Sequence, residues 1–245
     1  MQFVKRLLLA SVTTLVVTTS GPGDVSADAP RVPVIVELFS SEGCSSCPPA
    51  DALLARLDRD QPVAGAEVIA LELHVDYWNR LGWTDPFSQA SFSARQRMHA
   101  YSMNSSRIYT PQMVVDGRDE LIGSSEAGAK QAIERAARAP HVPVKLAREG
   151  DAITIDIGAA PSGEGVCHAM LATTERGLTT RVTAGENAGE TLAHGPVVHA
   201  LRFVAELGAT GLRTRVVQPR RAGTRVVVFV EARDSLHVLG ASSLD

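Results

Sequence analysis

The sequence predicts two fold classes in series: an α/β domain with a helical insertion, followed by an all-β sandwich-like domain. Three observations lead to this prediction. The first half alternates strand-like and helix-like segments, a Cys-x-x-Cys pair joins the first strand to the first helix, and strand-like runs alone follow residue 141. Alternating segments favour an α/β layer arrangement, and short strands at regular spacing favour a sandwich.

The composition fits ordinary globular cores and excludes several classes of function. The chain has 245 residues, 44% of them hydrophobic, and a formal net charge of -3. This length suits two domains. No basic stripe or Lys/Arg block follows the N-terminal segment, so we expect no nucleic-acid partner. Three cysteines are too few for a small scaffold stapled by many disulfides.

Residues 1–27 have the pattern of a secretory signal peptide. Lys5 and Arg6 precede the apolar stretch Leu7 to Val17, and Val25-Ser26-Ala27 resembles a small-residue cleavage site. The apolar stretch is too short for a transmembrane anchor, so we expect cleavage and no membrane span afterwards. The predicted location is therefore secreted, in an oxidising space outside the cytoplasm.

The first predicted domain, residues 28–140, opens with a strand, a Cys-x-x-Cys turn and a helix. Val34–Ser40 is β-branched and almost continuously apolar, which is typical of a buried strand. Pro49–Arg59 carries an apolar stripe at helical spacing. Cys44 and Cys47 are therefore expected at a helix N-terminus, where unpaired N–H groups and the helix dipole favour the reactive thiolate.

The rest of this domain is predicted as a strand, a helical insertion, a hairpin and a helix. Glu67–Val75 alternates so that Glu72 and His74 share one face. The insertion, about residues 76–109, has its own helix at Phe92–Tyr101 and holds every Trp and Tyr of the chain, which favours a packed subdomain. After it come two strands and a helix: Gln112–Val115, Glu120–Ile122 and Ser124 to about Arg138.

The second predicted domain, residues 141–245, contains only strand-like runs separated by turn signals. Short strands at this spacing favour a β-sandwich. The predicted strands are Val142–Ala147, Ile153–Ile157, Val166–Thr173, Val197–Glu206, Leu212–Val217, Arg225–Ala232 and Val238–Ala241. Cys167 is expected to be a small buried hydrophobe, and Asn187 to shape a Gly-rich turn.

The Thr110-Pro111 pair supports a redox interpretation of the Cys-x-x-Cys turn. A Cys-x-x-Cys next to a βαβ pattern is the redox signature of the thioredoxin class. In that fold a cis-proline precedes the third core strand and faces the dithiol, where the preceding backbone is free to pair with an extended substrate chain. We therefore predict a thioredoxin-like first domain with a cis bond before Pro111.

Longer motifs point to a particular family. They are Val36–Asp51, His74–Trp78, Leu81–Trp83 with Asp85–Phe87, Tyr109–Gly117, Gly185–Asn187 and Gly240-Ala241. Together they resemble the DUF1223 family of secreted bacterial proteins with a thioredoxin-like fold. The resemblance implies that fold, a dithiol site and a periplasmic location, and it implies no substrate. Glu72 and Glu231 stand where less acidic residues are expected, and Cys167 is not part of the pattern.

The leading functional prediction is an extracytoplasmic thiol–disulfide oxidoreductase. The Cys44 thiolate would attack a partner disulfide and Cys47 would release the product, with protein or small-molecule thiols and disulfides as partners and no required cofactor. Thr110 and Pro111 complete the catalytic set beside the dithiol. Glu37 is a further catalytic candidate, because a raised pKa would let it accept the Cys47 proton; an edge-facing or salt-bridged glutamate is the alternative.

Two other functions remain open from the residues. His74, at the end of the second strand, is expected near the dithiol, where Cys44, Cys47 and His74 would make a copper or other metal chaperone site with Asp76 as an outer partner. A hydrogen-bonded structural role for His74 is equally compatible with the sequence. The third function is a non-catalytic interaction module with a permanent Cys44–Cys47 bridge.

Overall fold

The computed structural model describes residues 31–208 and 210–245, so the predicted signal peptide at 1–27 lies outside the described residues. No helix in these ranges is long and apolar enough to cross a membrane. The described helices and strands, in chain order, are β1 Val32–Ser40, α1 Pro48–Asp60, β2 Ala66–His74, α2 Ala90–Ser102, β3 Gln112–Val115, β4 Asp119–Ile122, α3 Glu126–Ala136, β5 Val144–Glu149, β6 Ala152–Ile157, β7 Cys167–Glu175, β8 Thr179–Arg181, β9 Thr191–Ala193, β10 Val197–Glu206, β11 Leu212–Val217, β12 Thr224–Ala232 and β13 Val238–Leu244.

The prediction of a thioredoxin-like α/β domain followed by a separate all-β sandwich is wrong. Eight strands from both halves of the chain form one mixed sheet, in the order β13-β12-β7-β10-β2-β1-β3-β4. The halves join where β10 runs parallel to β2, with Val197 opposite Glu72. Periodicity shows which face of a strand is buried and says nothing about its neighbour, so strands assigned to two folds could share one sheet. The predicted boundary between 28–140 and 141–245 falls between α3 and β5 and stays a prediction.

Two helices cover one face of the first-half strands. Val34, Val36 and Leu38 of β1 point into a core formed with α1 and α3. Ile35 and Phe39, the alternate residues, point into a second core on the other face, as period-two alternation requires. β1 is therefore buried on both sides, which explains its almost continuous apolar sequence.

Strand β12 is likewise buried on both faces. Val228 and Val230 pack against a second sheet of three strands, ordered β11-β6-β5. Val227 and Phe229 point into the same core as Ile35 of β1. Strands from both ends of the large sheet, β1 and β12 among them, therefore face one common core. The small sheet covers the other face of β12.

Candidate functional site

A disulfide between Cys44 and Cys47 lies at the junction of β1 and α1. The two Cα atoms are 5.4 Å apart, and Cys47 is the N-cap residue of α1. Tight turns hold the loop, since the amide of Cys44 donates to Ser41 O and the amide of Cys47 donates to Cys44 O, both at 3.1 Å. The cysteines thus stand at the strand-to-helix junction where the sequence places them.

The helix offers these sulfurs fewer amide donors than an ordinary helix N-terminus. Pro48 and Pro49 occupy the first turn of α1, and neither has an N–H group. The hydroxyl of Ser46 lies 3.3 Å from the Cys44 sulfur. A Cys44 thiolate would therefore depend on the helix dipole and on Ser46 more than on free backbone amides.

A loop from the second half of the chain covers the disulfide. We call residues 182–190, between β8 and β9, the cover segment. Asn187 Nδ2 donates to Glu42 O at 2.8 Å and to Cys44 O at 3.0 Å. Glu186 Oε2 accepts from the amide and hydroxyl of Ser45, at 2.9 and 2.7 Å. The predicted turn-shaping role of Asn187 thus includes holding this loop on the Cys-x-x-Cys turn.

The sulfurs are shielded from water. Cys44 is 1% exposed and Cys47 is 0% exposed, whereas Ser45 and Ser46 between them are exposed. A partner can therefore reach the Ser-Ser turn directly, but it reaches the sulfurs only after the structure around them opens. Cys167, the remaining cysteine, is buried and free, as its expected role as a small hydrophobe requires.

The Thr110–Pro111 peptide bond is cis, as predicted. Pro111 flanks the first turn of α1, because a Cβ built on Gly123 would lie 3.0 Å from Pro111 Cβ and 3.1 Å from Ala50 Cβ. Trp78 connects this loop with the Cys-x-x-Cys turn. Its indole N–H donates to Thr110 Oγ1 at 2.8 Å, and its Cβ lies 3.1 Å from the position of a Cβ on Gly43.

The prediction of a raised pKa at Glu37 is wrong. Burial acts to raise that pKa, but the interactions with Arg95 and His99 overcome it and lower the pKa of Glu37 to about 2. Arg95 Nη2 lies 3.1 Å from Glu37 Oε2 and 2.8 Å from Glu231 Oε2. Glu37 is therefore an ionised partner in a buried network that joins β1, α2 and β12. The same network accounts for the unexpected acidic residue at Glu231.

His74 lies in a buried group of carboxylates and imidazoles rather than beside the cysteines. We call Glu42, Glu72, His74, Asp85 and His194 the buried cluster; all five are at most 6% exposed. His74 Nε2 lies 3.0 Å from Glu72 Oε1, and its Nδ1 lies 2.7 Å from Asp85 Oδ2. Glu72 and His74 thus share one face of β2, as the alternation predicts.

His194, directly after β9, completes the buried cluster. Its Nε2 lies 3.0 Å from Glu42 Oε1, and its Nδ1 lies 3.4 Å from Glu72 Oε1. Burial opposes protonation of both histidines, but the neighbouring carboxylates overcome it. They raise the pKa of His194 to about 9 and the pKa of His74 well above its ordinary value. The sequence alone does not indicate that His194 lies beside His74, because 120 positions separate them. The pairing of strands in the sheet brings them together.

The structure does not assemble the predicted site of Cys44, Cys47 and His74. Within residues 31–208 and 210–245, the group whose metal-ligating atoms converge is Glu72, His74 and His194. Asp76, the predicted outer partner, instead accepts from the hydroxyl of Ser93 at 2.5 Å.

One carboxyl group near the dithiol was not predicted from the sequence. Asp51 follows Cys47 by four residues, so both lie on one face of α1. It is buried and accepts from the hydroxyl of Ser40 at 2.5 Å. Burial, reinforced by the negative charge of Glu72, raises the pKa of Asp51 well above its ordinary value. The four-residue spacing was the signal that could have identified it.

Comparisons with known proteins found two similar solved structures and one matching family. It is similar to the crystal structure of a protein from Agrobacterium tumefaciens, at 29% identity and a TM-score of 0.70, over 87% of this chain and 94% of that one. The chicken interferon gamma receptor alpha chain aligns at 14% identity over 56% of this chain and 60% of that one, and its TM-score of 0.27 carries no structural argument. No curated protein matches. The family described as "Protein of unknown function (DUF1223)" matches residues 35–231, and the chain belongs to this family.

Proposed function

We propose that the protein is a thiol–disulfide oxidoreductase that acts outside the cytoplasm on protein or small-molecule thiols and disulfides. The observation that carries the proposal is the Cys44–Cys47 disulfide at the N-terminus of α1. A sulfur in this position benefits from the helix dipole when it becomes a thiolate. The apolar N-terminal segment 1–27, which has the pattern of a signal peptide, supports the location.

The proposed exchange is a two-electron transfer between dithiols and disulfides. In the reducing direction the Cys44 thiolate attacks one sulfur of the partner disulfide, forms a mixed disulfide and releases the other partner sulfur as a thiolate. The Cys47 thiolate then attacks Cys44, closes the Cys44–Cys47 bond and releases the second partner thiol. The two protons of the dithiol leave with the products or the solvent. The oxidising direction is the reverse, and the reduction potential decides between them.

Two neighbours of the dithiol suit this chemistry. Asp51, one helical turn after Cys47, is placed to take up and return the proton of that thiol, and its raised pKa lets it hold a proton nearer neutral pH. Pro111 is buried against the first turn of α1, and Thr110 before it is half-buried, so both would contribute to substrate binding only after this region opens. Because Cys44 is buried, the structure around it must open first, and movement of the cover segment, which is bonded to the Cys44 backbone, would supply that opening.

The decisive experiment compares single cysteine variants in a disulfide-reduction assay with a protein substrate. We expect Cys44→Ser to abolish turnover and Cys47→Ser to accumulate mixed disulfides, because the first lacks the attacking thiol and the second lacks the resolving thiol. Cys167→Ser, which removes the buried free thiol, is the matched control and should keep turnover. Wild-type turnover in both Cys44→Ser and Cys47→Ser would show that the dithiol is not the reacting group.

The burial of the disulfide favours one second candidate, a module in which the bond is a permanent bridge. With Cys44 1% and Cys47 0% exposed, a static bond is protected from reductants as well as from partners. A reduction potential below about -300 mV, typical of structural disulfides, together with no exchange would select this alternative. A higher potential with measurable exchange would select the oxidoreductase.

A further inference from the structure

We propose that the buried cluster is a binding site for one divalent first-row transition-metal ion, with Glu72, His74 and His194 as its ligands. Their ligating atoms all lie within 4.8 Å of one another. This site is separate from the dithiol chemistry proposed above, and it includes no cysteine. Two imidazole nitrogens and one carboxylate oxygen form a donor set that suits zinc and its neighbours in the first transition row.

The spacing of the three donors fits one ion. Glu72 Oε1 lies 3.0 Å from His74 Nε2 and 3.4 Å from His194 Nδ1. Donors held at about 2.0–2.1 Å around one zinc ion, at tetrahedral or right angles, lie roughly 3 to 3.4 Å apart. Both distances match ligand atoms that share one ion, and the remaining pair, His74 and His194, lies within 4.8 Å.

The outer contacts of both histidines follow the pattern of metal-bound imidazoles. A ligating histidine usually directs its second ring nitrogen at a carboxylate, which fixes the orientation of the ring. Asp85 Oδ2 lies 2.7 Å from His74 Nδ1, and Glu42 Oε1 lies 3.0 Å from His194 Nε2. Asp85 and Glu42 are themselves held, by the amide of Phe87 at 2.9 Å and by the indole of Trp83 at 2.7 Å.

An independent observation points to a ligand within this group. Both ring nitrogens of His194 and the Oε1 atom of Glu42 are buried and have no partner in hydrogen-bonding geometry. The side chains of both residues are fully buried. Buried polar atoms without a partner are costly. Of these three atoms, Nδ1 faces Glu72 Oε1 at 3.4 Å, on the side of the ring where the proposed ligands lie. A metal ion bound by Nδ1 would satisfy His194 and leave Nε2 as a donor to Glu42.

The charge of the buried cluster is compatible with a divalent ion. Within the described ranges, no Lys or Arg forms an ion pair with Glu42, Glu72 or Asp85; only the two histidines do. A divalent ion among these residues would offset the negative charge of the carboxylates, which is expensive to bury without a positive partner.

An open cleft lies next to the site. His194 and Gly195 line an open cleft of about 510 Å³ at the side of α1. Its arginines are each paired with an aspartate: Arg59 with Asp60, Arg176 with Asp58 and Arg225 with Asp245. These pairs neutralise the rim, so the rim does not repel an entering cation strongly.

The test measures metal binding by the oxidised full chain, in which the disulfide takes no part. After treatment with a chelator, the protein is equilibrated with Zn²⁺ and its metal content is determined; Co²⁺ serves as a spectroscopic probe through its visible ligand-field bands. We expect about one equivalent per chain, because three protein ligands converge on one point. His194→Gln should lose stoichiometric binding, and Asp85→Asn should weaken it by about 10- to 100-fold.

Two matched controls test whether the ion binds at the buried cluster and not elsewhere on the chain. His199→Gln changes a histidine that pairs with Glu175 outside the buried cluster and should bind the ion as the wild type does. The double variant Cys44→Ser/Cys47→Ser should also bind normally, which excludes thiolate ligands. Wild-type protein that takes up no Zn²⁺ and shows no Co²⁺ bands at 100 µM metal would overturn the proposal, even if His194→Gln does not fold. Undiminished binding by a folded His194→Gln variant would overturn it too.

Discussion

Replacing Glu37 with glutamine should remove a stabilising charge whose contribution depends on pH. Glu37 is fully buried and is held by Arg95 and His99. Its pKa falls from 4.5 to about 2 on folding. At about 1.4 kcal/mol for each tenfold change in proton affinity, the difference corresponds to about 3 kcal/mol of folding free energy.

The direction of the pH dependence follows from the lowered pKa of Glu37. The stabilisation is fully present above the unfolded value of 4.5 and is lost as the pH falls through the folded value of about 2. At pH 7 the variant Glu37→Gln should be less stable than the wild type by about 3–5 kcal/mol, because it leaves Arg95 without one of its two carboxylate partners. As the pH falls, the wild type alone loses this contribution. The difference in unfolding free energy between the two proteins, the stability gap, should therefore shrink by about 3 kcal/mol.

Urea denaturation of both proteins at several pH values between 7 and 2 measures the gap. Glu134→Gln, the same substitution at an exposed position of α3, is the control and should remain within about 0.5 kcal/mol of the wild type. Carboxylates outside the network of Glu37, Arg95 and Glu231 titrate equally in wild type and variant, so they cancel in the difference. A gap that stays constant down to pH 2 would refute the assignment of Glu37 as an ionised partner of Arg95.

The remaining single-residue predictions concern the dithiol and the buried cluster. Glu186→Gln should accelerate exchange of the disulfide with a small thiol, because it removes a negative charge and weakens the contact between the cover segment and Ser45. Glu190→Gln in the same segment is the control and should leave the exchange rate unchanged. Equal rates in the wild type and both variants would contradict a role of the cover segment in controlling access to the disulfide. Asp51→Asn should slow turnover at neutral pH by at least about tenfold if Asp51 takes the Cys47 proton, and stopped-flow exchange kinetics test this. Gly195→Ala places a Cβ 2.7 Å from Glu72 Oε2, so we expect urea denaturation to show an unfolding free energy lower by about 1–3 kcal/mol. An unchanged unfolding free energy would show that the Glu72 carboxylate moves freely.

The sequence predicts most individual elements of this fold and fails on their arrangement. Gln112–Val115, Val197–Glu206 and Leu212–Val217 are strands with the predicted bounds. The strands β8 and β9 were missed, because three residues are too few to show an alternating pattern. The pairing of β10 with β2 could not be predicted either, since both are buried strands that would fit several neighbours.

The candidate site shows the same division between local and long-range information. The disulfide and the cis bond before Pro111 follow from short motifs, and both occur as expected. The pKa of Glu37 could not be predicted, because it depends on Arg95, which arrives from α2, 58 positions further along the chain. A buried carboxylate has a raised or a lowered pKa according to whether such a partner is present.

The dithiol and the buried cluster share one structural element, the hairpin of β8 and β9. Its loop covers Cys44 through Asn187, and His194 follows its second strand directly. A metal ion held by His194 would anchor this hairpin, so opening of the cover segment would become less frequent. We therefore expect Zn²⁺ to slow reduction of the disulfide by a phosphine in the wild type and to have no effect in His194→Gln. Equal rates with and without Zn²⁺ in a wild-type protein that demonstrably binds the ion would show that the cover segment opens independently of His194.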